Sequence, residues 1–201
     1  MQNKLISIAP HRISICGGGT DFPSFYNNHN GAVINFAITR FSKIKLRTLK
    51  NKYVVIASDV NEYYEGTENK LSKIKNSSMP LYTIREKGMP CKISIKSDVP
   101  PGSGLGSSGT LAVNLVNAFH HIDNKKKIEP MELSEKAYRL EAEIFKKAIG
   151  KQDHMPAAFG GFNYIEYKKN KIIVKPFKKK ISNALTENCL LFYLVTTRDA
   201  D

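Results

Sequence analysis

Between residues 91 and 122 the chain reads strand, glycine-rich loop, helix, and that order constrains the fold more than any other stretch of the 201 residues. In CKISIKS, residues 91–97, Cys91, Ile93 and Ile95 share one face, as in a half-buried strand. DVPPGSGLGSSG, residues 98–109, then places glycines at 102, 104, 106 and 109, and Leu111, Leu115, Ala118, Phe119 and Ile122 recur at helical spacing after it. Glycines let several backbone N–H groups crowd one ligand, and the positive end of the following helix favours negative charge. Pro101, Gly102, Ser103, Gly104, Leu105, Gly106, Ser107 and Ser108 are therefore expected to cradle phosphate groups.

Several familiar phosphate loops are excluded. Segment 104–109 matches GxGxxG, yet no second strand follows the helix promptly to carry the ribose-binding acid of a dinucleotide fold. A Walker A loop needs a lysine before its final Ser or Thr, and none is present. Protein-kinase glycine loops lie between strands and come with partner motifs that are missing here. What remains is a lysine-free loop ending in Ser107 and Ser108, hydroxyls suited to phosphate or magnesium.

The flanking sequence reads as α+β. Residues 4–8 and 12–16 alternate as strands, and GGGTD, residues 17–21, makes a tight turn. Residues 31–38 and 43–49 read as two strands whose short connection predicts antiparallel pairing, and Tyr53 to Ala57 continues the sheet. Glu68 to Lys87 predicts two helical pieces split at Pro80. A helix is expected from Met131 to Ala148, with Leu133, Ala137, Leu140, Ile144 and Ala148 on one stripe and Gly150 closing it. Residues 159–167 and 171–177 predict a hairpin, and residues 190–195 a buried strand.

The net charge of +13 raises nucleic acid as a partner. Only six of the 31 basic residues are arginine, however, and the lysines fall in short runs at 125–127, 168–171 and 178–180, where turns are expected. Solvated loops account for them, and a basic surface equally attracts small anions such as nucleotides and sugar phosphates. The expectation is no nucleic acid and no membrane: no segment has the apolar length of a membrane span and the N-terminus lacks the apolar run of a signal, which points to the cytoplasm. Cys16, Cys91 and Cys189 are odd in number and lack ligand spacing, so buried free thiols are expected.

Three segments carry a resemblance. PPGSGLGSSGTLAVNLVNAF, residues 100–119, resembles the second signature of the GHMP kinases, the superfamily of galactokinase, homoserine kinase and mevalonate kinase. APHRISICGGGTDFPSFYNNHNGAVINFAI, residues 9–38, is similar to the sugar-binding signature of the sugar-kinase branch. GKQDHMPAAFGGFNYIEY, residues 150–167, is most similar to the members that phosphorylate a heptose 7-phosphate. The resemblance implies an N-terminal domain of the ribosomal protein S5 domain 2-like type over residues 1–184, with a left-handed βαβ crossover. It also implies that residues 185–201 start a truncated C-terminal domain, so that the chain as given should bind nucleotide weakly and turn over poorly.

The activity it implies is ATP-dependent phosphorylation of the anomeric hydroxyl of a heptose 7-phosphate, with Mg2+. Another GHMP sugar kinase, fucokinase- or galactokinase-like, is the alternative, and a non-catalytic nucleic-acid-binding or regulatory module is the rival of another class. Carried over residue by residue, Asp153 matches the active-site aspartate facing the attacking hydroxyl, and Arg12 the basic residue beside it. An arginine there favours the charged carboxylate and makes it a weaker base, which suits a loose phosphoryl-transfer transition state that needs orientation and charge stabilisation. Asp21 matches the aspartate that binds sugar hydroxyls, with Gly19, Thr20 and Gly161 as further sugar contacts. Ser108 and a helical glutamate match the magnesium ligands. Glu141 and Glu143 both qualify, and spacing favours Glu141. Glu143 has Arg139 and Lys147 at i−4 and i+4 and belongs to an exposed ion-paired face, while Glu141 flanks the apolar stripe and needs a partner. His154 and Pro156 depart from the usual QDQYAAAFGG form of this segment.

Overall fold

The computed structural model describes residues 4–58, 61–75 and 77–192. Its frame is one long strand, β2 (Gly31–Thr48), lined along one edge by β1 (Lys4–Cys16). On the other edge two strands follow end to end. β5 (Cys91–Ser97) pairs with residues 42–48, and β6 (Phe162–Lys168) with residues 31–36, both antiparallel. β3 (Tyr53–Ala57) lies parallel to β5, with β4 (Glu62–Gly66) outside it, and β7 (Lys171–Pro176) pairs with β6, which completes a seven-stranded sheet.

The strand count along the first 48 residues differs from expectation. Residues 31–38 and 43–49 are one strand of 18 residues rather than a hairpin, and 4–8 and 12–16 are one strand of 13. No glycine or proline stands between Ile38 and Lys43 to turn the chain, and β1 pairs with both halves of β2 across a register shift between Pro10 and Arg12. Pro10 is tolerated because β1 has a partner on one side only among the described residues, and the irregularity beside it re-aims Arg12 inward.

The helices cover one face. α1 (Pro23–Tyr26) and α2 (Glu68–Leu71) are single turns, and α3 (Met79–Lys87) contains Pro80 in its first turn rather than breaking there. α4 (Ser107–Asn124) lays Leu115, Ala118 and Phe119 on Ile44, Leu46, Ile93 and Ile95 of the sheet, as its apolar spacing predicts. Each large side chain so buried contributes about 1.5–3 kcal/mol relative to exposure. A smaller cluster of Tyr26, Val33, Met155, Ile165 and Tyr167 closes the β6 end.

The expected helix 131–148 exists only in its first part. α5 (Pro130–Arg139) passes into a π-helical turn, Leu140–Ile144, and the chain then leaves helical geometry, with Lys146 at a φ of +54°. One extra residue in the turn rotates the side chains after it, so Leu133, Ala137 and Leu140 stay buried while Ile144 is turned outward. α6 (His154–Phe159) and α7 (Lys179–Asn188) have no counterpart in the sequence reading. The expected boundary after residue 184 falls inside α7, which has no buried residue. Of the strand expected at 190–195, residues 190–192 are irregular and exposed, and the remainder lies outside the described residues. All three cysteines are free, but only Cys91 is buried, its thiol pushed up to about 12 by burial; Cys16 and Cys189 are exposed. No helix among the described residues is long and apolar enough to cross a membrane.

Candidate active site

The loop between β5 and α4 is pinned at both ends. Asp98 donates its N–H to the Phe41 carbonyl at 2.9 Å and accepts the Phe41 N–H on Oδ2 at 3.0 Å. Gly102, Gly104 and Gly106 all have φ near +70°, the left-handed region that favours glycine. Gly106 precedes the first turn of α4, whose N–H groups have no earlier carbonyl to reach. The hydroxyls of Ser103 and Ser107 are buried without a partner among the described residues, which is what an anion-binding cradle leaves for its ligand. A cavity of about 550 Å³ opens beside them, lined by His11, Ser97, Val99, Gly102, Leu111 and Lys147 among others.

Arg12 ties this loop to the rest of the site. Its Nη1 donates to the Gly104 carbonyl at 2.7 Å, its backbone N–H to Leu105 O at 3.2 Å, and its Nε to Asp153 Oδ1 at 2.8 Å. A Cβ on Gly106 would stand 3.1 Å from the Arg12 side chain, and one on Gly109 only 2.8 Å from Cβ of Asp153. Both glycines thus leave room for side chains packed against them, Arg12 at Gly106 and Asp153 at Gly109. The pairing of Arg12 with Asp153, across 141 residues of sequence, is the one the resemblance implied.

Ser108 and Glu141 also meet: the serine hydroxyl donates to Oε1 of Glu141, a carboxylate only 2% exposed. Lys147 Nζ contacts both, at 3.0 Å from that Oε1, and His154 Nε2 stands 2.9 Å from Oε2. Burial alone would push the Glu141 carboxyl up, but the hydrogen bond and charge of His154, with Ser108 and Lys147, outweigh it and lower it to about 2. A hydroxyl and a carboxylate are hard oxygen donors of the kind that hold Mg2+ together with water and phosphate, so these residues fit the ion, although no cluster of three acidic, His or Cys ligands exists among the described residues. Glu143 is exposed beside Arg139 at 4.0 Å, as its spacing suggests, but Lys147 has left that face.

The sugar-side residues divide. Asp21 is fully buried, and its carboxylate accepts the N–H of Gly19 at 3.0 Å and of Gln152 at 2.8 Å. Burial raises its carboxyl against those bonds, and the nearby Asp153 adds to the rise. The expected contact with a sugar diol is therefore not an exposed carboxylate: Asp21 clamps the GGGTD turn onto residues 150–152, next to Asp153. Gly150 is there for that clamp rather than to close a helix, since a Cβ would fall 1.9 Å from Asp21 Oδ2. The Thr20 hydroxyl is likewise taken internally, by Gly17 O at 2.7 Å and by both polar groups of Ala32 at 3.0 Å. Gly19 and Gly161 have open space where a side chain would stand, with φ of +93° and +68°.

Sequence reasoning missed Lys147, Gln152 and the depth of His154. Gln152 accepts from Ser14 Oγ at 2.8 Å on its side chain and from Asn35 at 3.2 Å on its carbonyl, so the residue before Asp153 is fixed from both sides. His154 is fully buried. Its departure from the family pattern was the one signal that could have flagged it.

Residues 72–161 match the family described as the GHMP kinases N terminal domain. The chain is 32% identical to D-glycero-alpha-D-manno-heptose 7-phosphate kinase of Campylobacter jejuni over 95% of its own length and 60% of that protein's. It is 30% identical to galactokinase of Thermotoga petrophila over 76% of its length and 43% of that one's. Among solved structures, a D-glycero-D-manno-heptose 1-phosphate kinase from Bacteroides thetaiotaomicron superposes with a TM-score of 0.77 at 29% identity, over 87% of this chain and 60% of that one. The mevalonate kinase of Methanococcus jannaschii, 21% identical with a TM-score of 0.70, shares the fold. The chain thus spans about 60% of the first of these relatives. The mixed sheet, the left-handed glycines feeding α4 and the match over residues 72–161 agree with one another: that stretch carries the GHMP kinases N terminal domain, set in the fold of those kinases.

Proposed function

We propose that this chain is the nucleotide- and sugar-binding part of an ATP-dependent sugar kinase that phosphorylates the anomeric hydroxyl of D-glycero-alpha-D-manno-heptose 7-phosphate, giving the 1,7-bisphosphate. The observation that carries this reading is the Arg12–Asp153 pair held against the glycine loop, because it puts a fixed carboxylate and a fixed guanidinium beside the phosphate cradle. In the reaction the sugar oxygen bonds to the γ-phosphorus as the bond to the β–γ bridging oxygen breaks, ADP departs and the hydroxyl proton is given up. Asp153 orients that hydroxyl through its second oxygen and takes the proton late. Arg12 offsets charge on the transferring group, and the amides of the loop hold the phosphates. Mg2+, which Ser108 and Glu141 would hold, supplies further neutralisation of phosphate charge.

Gly19 and Gly161 offer open backbone on the sugar side, and the cavity beside Ser107 has the size and apolar wall for a nucleoside. Residues 185–201 begin a second unit in this reading, and the protein works in the cytoplasm, where ATP is supplied. The two heptose kinases named above differ in which phosphate their sugar carries, so the position phosphorylated is the part to test first. The test is ADP release over a panel of sugars and sugar phosphates, with Asp153→Asn as control and with the 201-residue chain compared against any longer form. Heptose-7-phosphate-dependent release that falls about 10²–10⁴-fold in the control is expected. Release with galactose and not with heptose phosphates would move the chain to the galactokinase branch, and full activity in Asp153→Asn would remove Asp153 from the chemistry.

A further inference from the structure

The glycine loop has no lysine of its own, yet an ammonium stands at its end. Lys147 Nζ lies across Ser108 and Glu141 and touches both, 3.0 Å from the carboxylate. The carboxylate it meets is 2% exposed and fixed on its other oxygen by His154, whereas the lysine side chain is 43% exposed. One partner is enclosed and the other reaches solvent.

The backbone explains how the lysine comes to be there. On a regular helix Lys147 would lie one turn beyond Glu143 on the outer face. The π-helical turn at Leu140–Ile144 and the positive φ of Lys146 fold the segment back, and the Lys147 N–H bonds to the Glu141 carbonyl at 3.2 Å. Among the described residues, Lys147 is the cation that reaches the Ser108 hydroxyl, and it also lines the cavity beside Ser107. A compact ammonium on a flexible stem exchanges easily, unlike the planar fork by which Arg12 grips Asp153.

We propose that Lys147 is the resident counter-ion of the Ser108–Glu141 pair, that a divalent cation displaces it, and that its ammonium then moves onto the phosphates of the bound nucleotide. A buried carboxylate stripped of its partner is costly, so the lysine keeps Glu141 compensated until the metal arrives. The lysine then supplies the charge that the loop lacks. The second half of the proposal rests on the nucleotide reading of the loop; the first half does not.

The two halves separate in one experiment. Binding of Mn2+ to the nucleotide-free chain is followed by loss of the electron-spin-resonance signal of the free ion, in the unsubstituted chain, Lys147→Met and Lys147→Met/Glu141→Gln. Removing the competing ammonium is expected to tighten Mn2+ by about tenfold or more, and the added Glu141→Gln to abolish the gain. Lys147→Gln gives the same comparison should the methionine variant fold poorly, and addition of Mg2+ is expected to recover any melting temperature that either loses. Unchanged Mn2+ affinity, or a gain that survives Glu141→Gln, overturns the exchange. A fluorescent ADP analogue with Mg2+ then reads the second half: weaker binding by Lys147→Met is expected, and equal binding overturns it. Failure of every form to bind the analogue would sink the nucleotide reading while leaving the metal exchange standing.

Discussion

Asp153 and Glu141 both approach Gly109, yet the two parts of the site are built differently. Asp153 is gripped by Arg12, a permanent cation whose guanidinium also holds the Gly104 carbonyl, so carboxylate, strand β1 and glycine loop form one rigid unit. Glu141 is buried more deeply but is met by a neutral hydroxyl, a histidine and a half-exposed lysine. The first arrangement suits a group that must stay in place while a hydroxyl is aimed. The second suits a group whose partner must change when a metal and nucleotide bind. Burial by itself therefore does not say how firmly a carboxylate is held; the kind of cation that meets it matters as well.

Substitutions can break this comparison in a definite order. The largest effect is expected from Gly150→Ala, which drives a methyl into the Asp21 carboxylate, 1.9 Å from Oδ2. A stability loss of about 3 kcal/mol by denaturant titration is expected, since the clamp on residues 150–152 must open. A loss under about 0.5 kcal/mol would mean that the segment carrying Asp153 is not rigidly held. Arg12→Lys comes next: the fork that joins Asp153 to the loop is lost while the charge is kept, and phosphoryl transfer is expected to fall about tenfold or more at little cost in melting temperature. Unaltered transfer would make Arg12 a plain counter-ion.

A smaller effect sharpens the Glu141 side. Its carboxyl is lowered from 4.5 to about 2 in the folded chain, so its contribution to stability is fully present above pH 4.5 and is lost as pH falls from there through about 2. Acid unfolding of Glu141→Gln should accordingly show a shallower fall in stability across that window than the unsubstituted chain. Identical pH profiles would show that His154 and Lys147 do not compensate the carboxylate. The smallest effect belongs to Glu143→Gln, which loses an exposed pair with Arg139 and should shift stability by less than about 0.5 kcal/mol. A larger shift would undo the distinction between the two glutamates.

The parts of the site that could be read in advance are those whose reason is local. A left-handed φ at Gly102, Gly104 and Gly106 and the apolar spacing of α4 are written in consecutive residues. Arg12, Asp153, Ser108 and Glu141 came through resemblance, and the structure brings each pair together. Asp21 and Thr20 were placed in the right loop, but as groups turned toward the sugar. The difference arises because a buried carboxylate or hydroxyl first satisfies the backbone N–H groups around it. Lys147 was misassigned for a geometric reason: i+4 reasoning presumes an unbroken α-helix, but Glu143 stands in the π-helical turn and the chain leaves helical geometry before Lys147, with Lys146 at positive φ.

What the sequence determined by itself was the strand, loop and helix over residues 91–122 and the helical face that meets the sheet. All of these come from periodicity and backbone freedom within a few residues. Only the tertiary structure decided that residues 31–48 run as one strand, that Gly109 and Gly150 are glycines because Asp153 and Asp21 approach them, and that Lys147 reaches Ser108. Each of those depends on a neighbour far off in the chain or on a helix that stops being α, and neither leaves a period in the sequence.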